Sequence, residues 1–196
     1  MPPDRNNSRR RIISALMQRY RRVLRAPPVS ELEFLGLTGN HGEFNKTLLL
    51  LGQTAASGDL KTYICHVGLC WMRLALEHRD DAQSALSMNR SRSTFSRSYY
   101  AAYNASKAVR YIVFGGVSLK GDDHHKASDL PDDFPNVDSW SAVIVTLYEH
   151  RLLADYDNWM ETASKCTLSP EQAFNLANEF VNRSRAYLSI RLGVQI

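Results

Sequence analysis

A chain of 196 residues, 44% of them hydrophobic, is the size of one domain with an appendage and can bury a core of its own. Its longest unbroken aliphatic run, Leu48 to Leu51, falls far short of the roughly 20 apolar residues of a membrane span, and no apolar stretch follows the arginine-rich start as a signal peptide would require. The net charge of +4 is uneven: residues 1–26 hold eight arginines and one acid (+7), residues 27–196 hold 16 basic and 19 acidic residues (−3), so the basic character belongs to the N-terminus alone.

From Ser8 to Arg25 the apolar residues Ile12, Ile13, Leu16, Met17, Tyr20, Val23 and Leu24 fall within an arc of about 140° at helical spacing. Arg10, Arg11, Arg21, Arg22 and Arg25 take the other side, and Pro27-Pro28 stop the pattern. This is a basic amphipathic helix, suited to packing on the body with its arginines solvated, to contacting the phosphates of RNA, or to serving as an organelle transit peptide or membrane-surface helix. Residues 29–64 are irregular and punctuated by glycines, with a short helix expected around Asn45 to Ala56. Residues 1–64 therefore read as an N-terminal extension of helix 8–25 and a linker, and residues 65–196 as a helical domain.

Four long helical patterns make up that domain, at about 66–88, 92–114, 138–162 and 170–191. Gly115-Gly116 punctuates the end of the second. Asp138 or Ser139 is placed to cap the third, and Ser169-Pro170 is an N-cap followed by proline at the first helical position. Ala101, Ala105, Ala108 and Ile112 form a small-residue stripe that lets a neighbouring helix approach closely. With no convincing strand alternation, the expected fold is all-α, an antiparallel four-helix bundle with an added basic N-terminal helix. The odd, sparse cysteines Cys65, Cys70 and Cys166 fit reduced thiols and a cytoplasmic address. Cys65, His66 and Cys70 follow no strong zinc spacing, so no metal and no cofactor are expected.

Three stretches hold groups able to do chemistry. "SRSTFSRSYYAAYNASKAVRYI" (91–112) is rich in tyrosine and arginine, the polar loop "GDDHHKASDLPDDFPNVD" holds His124 and His125, and "YEHRLLADYDNW" (148–159) sets Arg151 and Asp155 one turn apart. An Arg–Asp pair at that spacing is by itself an ordinary salt bridge. Taken in order, Arg97, Tyr99, Tyr100 and Ala101, then His124 or His125, then Arg151, Ala154, Asp155 and Tyr156 resemble the HEPN superfamily, in its short prokaryotic branch bearing Arg-x-x-Ala-Asp-Tyr. The resemblance spans about residues 65–192.

That resemblance implies a dimerising all-α bundle with a polar cleft between the second and third helices. Many such proteins are metal-independent ribonucleases of toxin–antitoxin and antiviral systems; others bind nucleotides or pair with a neighbour-encoded nucleotidyltransferase. Catalysis would fall to Arg151, Asp155, His124, His125 and Arg97. RNA or nucleotide contacts would fall to Tyr99, Tyr100 and Tyr156 with the N-terminal arginines. Arginine suits a phosphorane because its fork matches phosphate oxygens, and histidine suits proton transfer because its ordinary pKa is about 6.5. The ribonuclease pattern of the superfamily places a histidine four to six residues after the arginine; here Asp155 stands in that place. A literal match to the spacing, Arg73 to His78, puts the two side chains about 140° apart around a helix and reads as coincidence.

Overall fold

The computed structural model describes residues 41–50, 52, 54–116, 123–158, 165–193 and 196. The basic helix expected at 8–25, with Arg10, Arg11, Arg21, Arg22 and Arg25, lies outside them. Among the described residues the protein is all-α: α1 (His41–Leu50), α2 (Thr54–Ser87), α3 (Ser91–Phe114), α4 (Val137–Tyr156) and α5 (Pro170–Leu192), with a short 3-10 turn at Asp123–Lys126. No helix among them is long and apolar enough to cross a membrane.

Helix α2 begins at Thr54, twelve residues before its expected start, and runs through the position taken as the domain boundary. Its 34 residues reach about 50 Å at 1.5 Å per residue. Gly58 sits in it with open space around it, which makes its conformational freedom a local cost of about 1 kcal/mol and not a break. Ser57, buried, donates to Asn45 at 2.6 Å and ties α2 to α1.

Helix α3 is the centre of the bundle. Thirteen of its residues are buried, among them Phe95, Tyr99, Ala101, Ala102, Ala105, Ala108, Val109 and Tyr111, and it packs against α2, α4 and α5. The small-residue stripe does what its composition suggests. An added Cβ at Gly68 of α2 would stand 2.4 Å from Ile112 Cγ1 but 3.7 Å from Ala108 O, so the Ile112 side chain fills the place a Cβ would take. Only Met88, Asn89 and Arg90 link α2 to α3, a connection short enough to fold one helix back on the other. Asn89 takes a left-handed φ of 54° in that link. Gly115 closes α3 in the left-handed conformation expected of a helix-ending glycine.

Helix α4 differs from expectation at both ends. It starts after Asn136, in a left-handed conformation with no side-chain cap, and not at a cap provided by Asp138 or Ser139. It stops at Tyr156 instead of reaching 162, and Arg92 at the start of α3 satisfies that end by donating to the carbonyls of Ala154 and Asp157. Asp157, now extended, pairs with Lys165 at 2.7 Å. Helix α5 opens on a complete capping box, Ser169 with Gln172, and proline at its start.

The segment between the 3-10 turn and α4 is polar in composition but docked through its apolar minority. Ala127, Leu130 and Phe134 are buried in the common core, Phe134 against Phe180 and Tyr187. His150 of α4 is a core residue. Its Nδ1–H donates to Thr146 O at 2.7 Å, and its Nε2 accepts the Leu168 N–H at 3.0 Å.

Candidate functional site

Four residues of α3 one helical turn apart, Tyr99, Tyr103, Ser106 and Arg110, form a polar edge along the helix. Against it sits the 3-10 turn. Arg110 grips Asp123 bidentately, Nη1 to Oδ1 at 3.1 Å and Nη2 to Oδ2 at 3.2 Å, with the two side chains only 4% and 6% exposed. Tyr103 donates to the same carboxylate at 2.7 Å, and Ser106 donates to Ala127 O. Burial alone would raise the Asp123 carboxyl, but the hydrogen bonds and charge of Arg110 and the Tyr103 hydroxyl outweigh it and hold Asp123 below the usual carboxylate range. The turn is thus locked to α3 by a satisfied buried ion pair.

What the lock presents is His124. Tyr99, fully buried, has its hydroxyl pushed well above the ordinary phenol range, chiefly by burial, so it keeps its proton, and it shares a hydrogen bond of 2.8 Å with His124 Nδ1. The tautomer with its proton on Nδ1, donated to the phenol oxygen, leaves Nε2 as the nitrogen free to accept a proton. The His124 ring stacks on Tyr103 (4.5 Å between centroids, 23° between planes) and lies nearly parallel to Tyr148 at 6.2 Å. Burial first, then the positive charge of Arg151, lowers the proton affinity of His124; Asp123 opposes, while Lys107 and His125 add to the lowering. At neutral pH it is a neutral imidazole, the form in which a histidine accepts a proton.

Arg151 comes from α4. Its Nη2 donates to the Tyr100 hydroxyl at 2.9 Å and reaches the Tyr156 hydroxyl at 3.5 Å, and its guanidinium carbon lies 5.5 Å and 5.2 Å from those two ring centroids. Asp155 Oδ2 stands 2.7 Å from Nε. That contact is ionic and lacks hydrogen-bond alignment, since Nε is buried without a hydrogen-bonded partner. Among the described residues no hydrogen bond engages Arg151 Nη1.

Tyr100 is the common neighbour. Its ring lies 6.3 Å from that of His124 and its hydroxyl bonds Arg151, so the imidazole and the guanidinium flank one phenol from different elements. Arg97, one turn back on α3 with its side chain 46% exposed, donates from Nη1 to His78 Nδ1 at 3.2 Å and stands 3.9 Å from Asp81. His78 in turn rests on the Tyr100 ring at 5.5 Å.

Of the residues singled out from sequence, Tyr99, Tyr100, His124, Arg151, Asp155 and Tyr156 are thus linked through direct contacts, and Arg97 joins them only through His78. Tyr99 offers no surface to a ligand, however; being buried, it orients His124. His125 is exposed and meets only the edge of Tyr148, at 6.0 Å, which makes it a rim residue. Two groups were missed. Asp123 lay unremarked beside the histidines, although a buried arginine four residues after Ser106 needed an acidic partner. His78, set aside with Arg73 as a chance match, touches the site through Tyr100, while Arg73 is exposed. Helical phase correctly separates those two side chains and says nothing of what each one meets.

Among the described residues no cluster of histidine, cysteine, aspartate or glutamate has the arrangement of a metal site. No family model matches the chain, nor does any curated protein or solved structure.

Proposed function

We propose that this chain is a HEPN-type protein that binds RNA at the crevice of Arg151, Tyr100 and His124 and cleaves it without a metal. The observation that carries the reading is the convergence on Tyr100 of a guanidinium bonded to its hydroxyl and a neutral imidazole 6.3 Å from its ring. The ribose 2′-hydroxyl loses its proton to His124 and forms a bond to the adjacent phosphorus. The bond to the 5′-oxygen breaks, leaving a 2′,3′-cyclic phosphate and a 5′-hydroxyl. Arg151 stabilises the charged phosphorane, with Nη1 turned to the phosphate and Asp155 holding the fork in register. Tyr156, 71% exposed, offers a face on which a base can stack. The setting implied by the resemblance is a toxin–antitoxin or antiviral one, with the protein a homodimer and the arginines of residues 8–25 drawing in the polyanion.

Purified protein incubated with RNA in chelator tests this directly. Wild type should cleave, and Arg151→Ala should lower the rate by roughly 10²–10³-fold, the usual effect of removing one group that stabilises developing charge, and should relieve any growth arrest on expression. RNA binding should weaken steeply with salt, because phosphate contacts release counterions. Intact RNA together with salt-insensitive binding overturns the reading.

One observation favours a second reading. Arg151 is already closed on Asp155 and two phenols, an arrangement that is stable without a ligand. In that reading the chain is a non-catalytic subunit that binds a nucleotide or docks a neighbour-encoded nucleotidyltransferase. Its mark is RNA left whole and a stoichiometric complex with that enzyme.

A further inference from the structure

A transesterification of this kind needs two proton carriers, a base for the 2′-hydroxyl and an acid for the departing 5′-oxygen. Asp155, the group in the place of the superfamily's histidine, is held in an ion pair with Arg151 at 2.7 Å and is poorly placed to be that acid, since a carboxylate paired with a guanidinium acts as an acceptor. A second imidazole, from α2, rests on the same phenol ring. His78 lies 5.5 Å from the Tyr100 ring, the same separation as the Arg151 guanidinium carbon, and His124 lies at 6.3 Å. Two imidazoles and the Arg151 guanidinium therefore neighbour one phenol, and Arg97 is bonded to one of those imidazoles.

We propose that His78 is the general acid of the site, donating a proton to the 5′-oxygen as its bond to phosphorus breaks, while His124 is the base; this rests on the cleavage reading above. In the free protein Arg97 donates to His78 Nδ1, which fixes the other nitrogen as the N–H. Burial and the charge of Arg97 hold His78 neutral against the opposing pull of Asp81 and Glu77; the ring of Tyr100 is its other neighbour. Arg97 is loosely held, its side chain half exposed and its contact with Asp81 at 3.9 Å. A phosphate entering beside Tyr100 draws the Arg97 fork to its own oxygens. Nδ1 is then released and the anion's charge favours the imidazolium, so His78 gains its proton when there is a leaving group to receive it.

The test compares RNA with a nucleoside 3′-(4-nitrophenyl) phosphate, whose acidic phenol leaves without help from an acid. His78→Ala and the bulkier His78→Gln should each lower RNA cleavage by roughly 10²–10⁴-fold and lower cleavage of the aryl ester by less than about tenfold. His124→Ala should depress both substrates alike. The fall in kcat/KM at alkaline pH seen with RNA should disappear in the His78 variants, while the fall at acid pH stays. Equal losses on the two substrates, or an unchanged alkaline limb, overturn the role of His78. A wild-type protein that binds RNA in an Arg151-dependent way but cleaves neither substrate overturns it too and leaves the binding reading standing, whereas one that neither binds nor cleaves removes both.

Discussion

Replacing Asp123 by alanine removes the carboxylate to which the His124 turn is fastened, and the structure sets the size of the effect. The carboxylate accepts two hydrogen bonds from Arg110 and one from Tyr103, with both members of the ion pair almost entirely out of solvent. Truncation therefore leaves a guanidinium buried without a counter-charge, a situation that costs about 3–5 kcal/mol. That is a large fraction of the roughly 5–15 kcal/mol that holds a domain together. Arg110→Met combined with Asp123→Ala removes the stranded charge as well, so the double variant should recover about 1–3 kcal/mol relative to Asp123→Ala alone. Urea unfolding followed by circular dichroism at neutral pH reads both changes as midpoint shifts at constant slope. A second readout is His124 itself. Freed from the locked turn and from Tyr99, it should titrate closer to the ordinary value of about 6.5, seen as an upward shift of its ring proton titration by NMR. A cost for Asp123→Ala below about 1 kcal/mol, or a double variant as unstable as the sum of the two single ones, refutes the reasoning from buried, mutually satisfied charge.

Three further outcomes follow from the packing and the ionisations. Gly68→Ala should destabilise the wild type, because its Cβ meets Ile112, yet stabilise an Ile112→Ala background by up to about 1 kcal/mol through helix propensity, a change of sign that a thermodynamic cycle detects. His150→Ala should cost about 1–3 kcal/mol, since it strands the Leu168 N–H and opens a cavity, while leaving RNA binding unchanged below the unfolding transition; a loss of binding in the folded variant contradicts its placement in the core. Both His78 and His124 bind protons less readily when folded than when unfolded. Below about pH 6.5 the unfolded chain therefore holds more protons, and stability falls as pH falls through that value toward the folded pKa values. His78→Gln with His124→Gln should flatten this part of the profile of urea midpoint against pH, and an unchanged slope would mean that neither histidine is held neutral by its surroundings.

Composition and periodicity determined the helical class, the Gly115 stop, the Ser169-Pro170 start and the arginine concentration in residues 1–26, because these depend on neighbours within a turn or two. The resemblance to the HEPN superfamily, and not local pattern, singles out Tyr100, His124 and Arg151 together. Local pattern failed at helix ends whose partners lie on other elements: Arg92 caps the end of α4 from 62 residues away, and Ser57 near the start of α2 bonds Asn45 of α1. Only the tertiary structure separated Tyr99, buried behind His124, from Tyr100, open to Arg151, although the two are adjacent on one helix and similar in chemistry. It alone also brought His78 beside Arg97 and fastened Asp123 to Arg110. Spacing along a helix determines the direction in which a side chain leaves its own axis, but what it meets there depends on where another helix happens to lie.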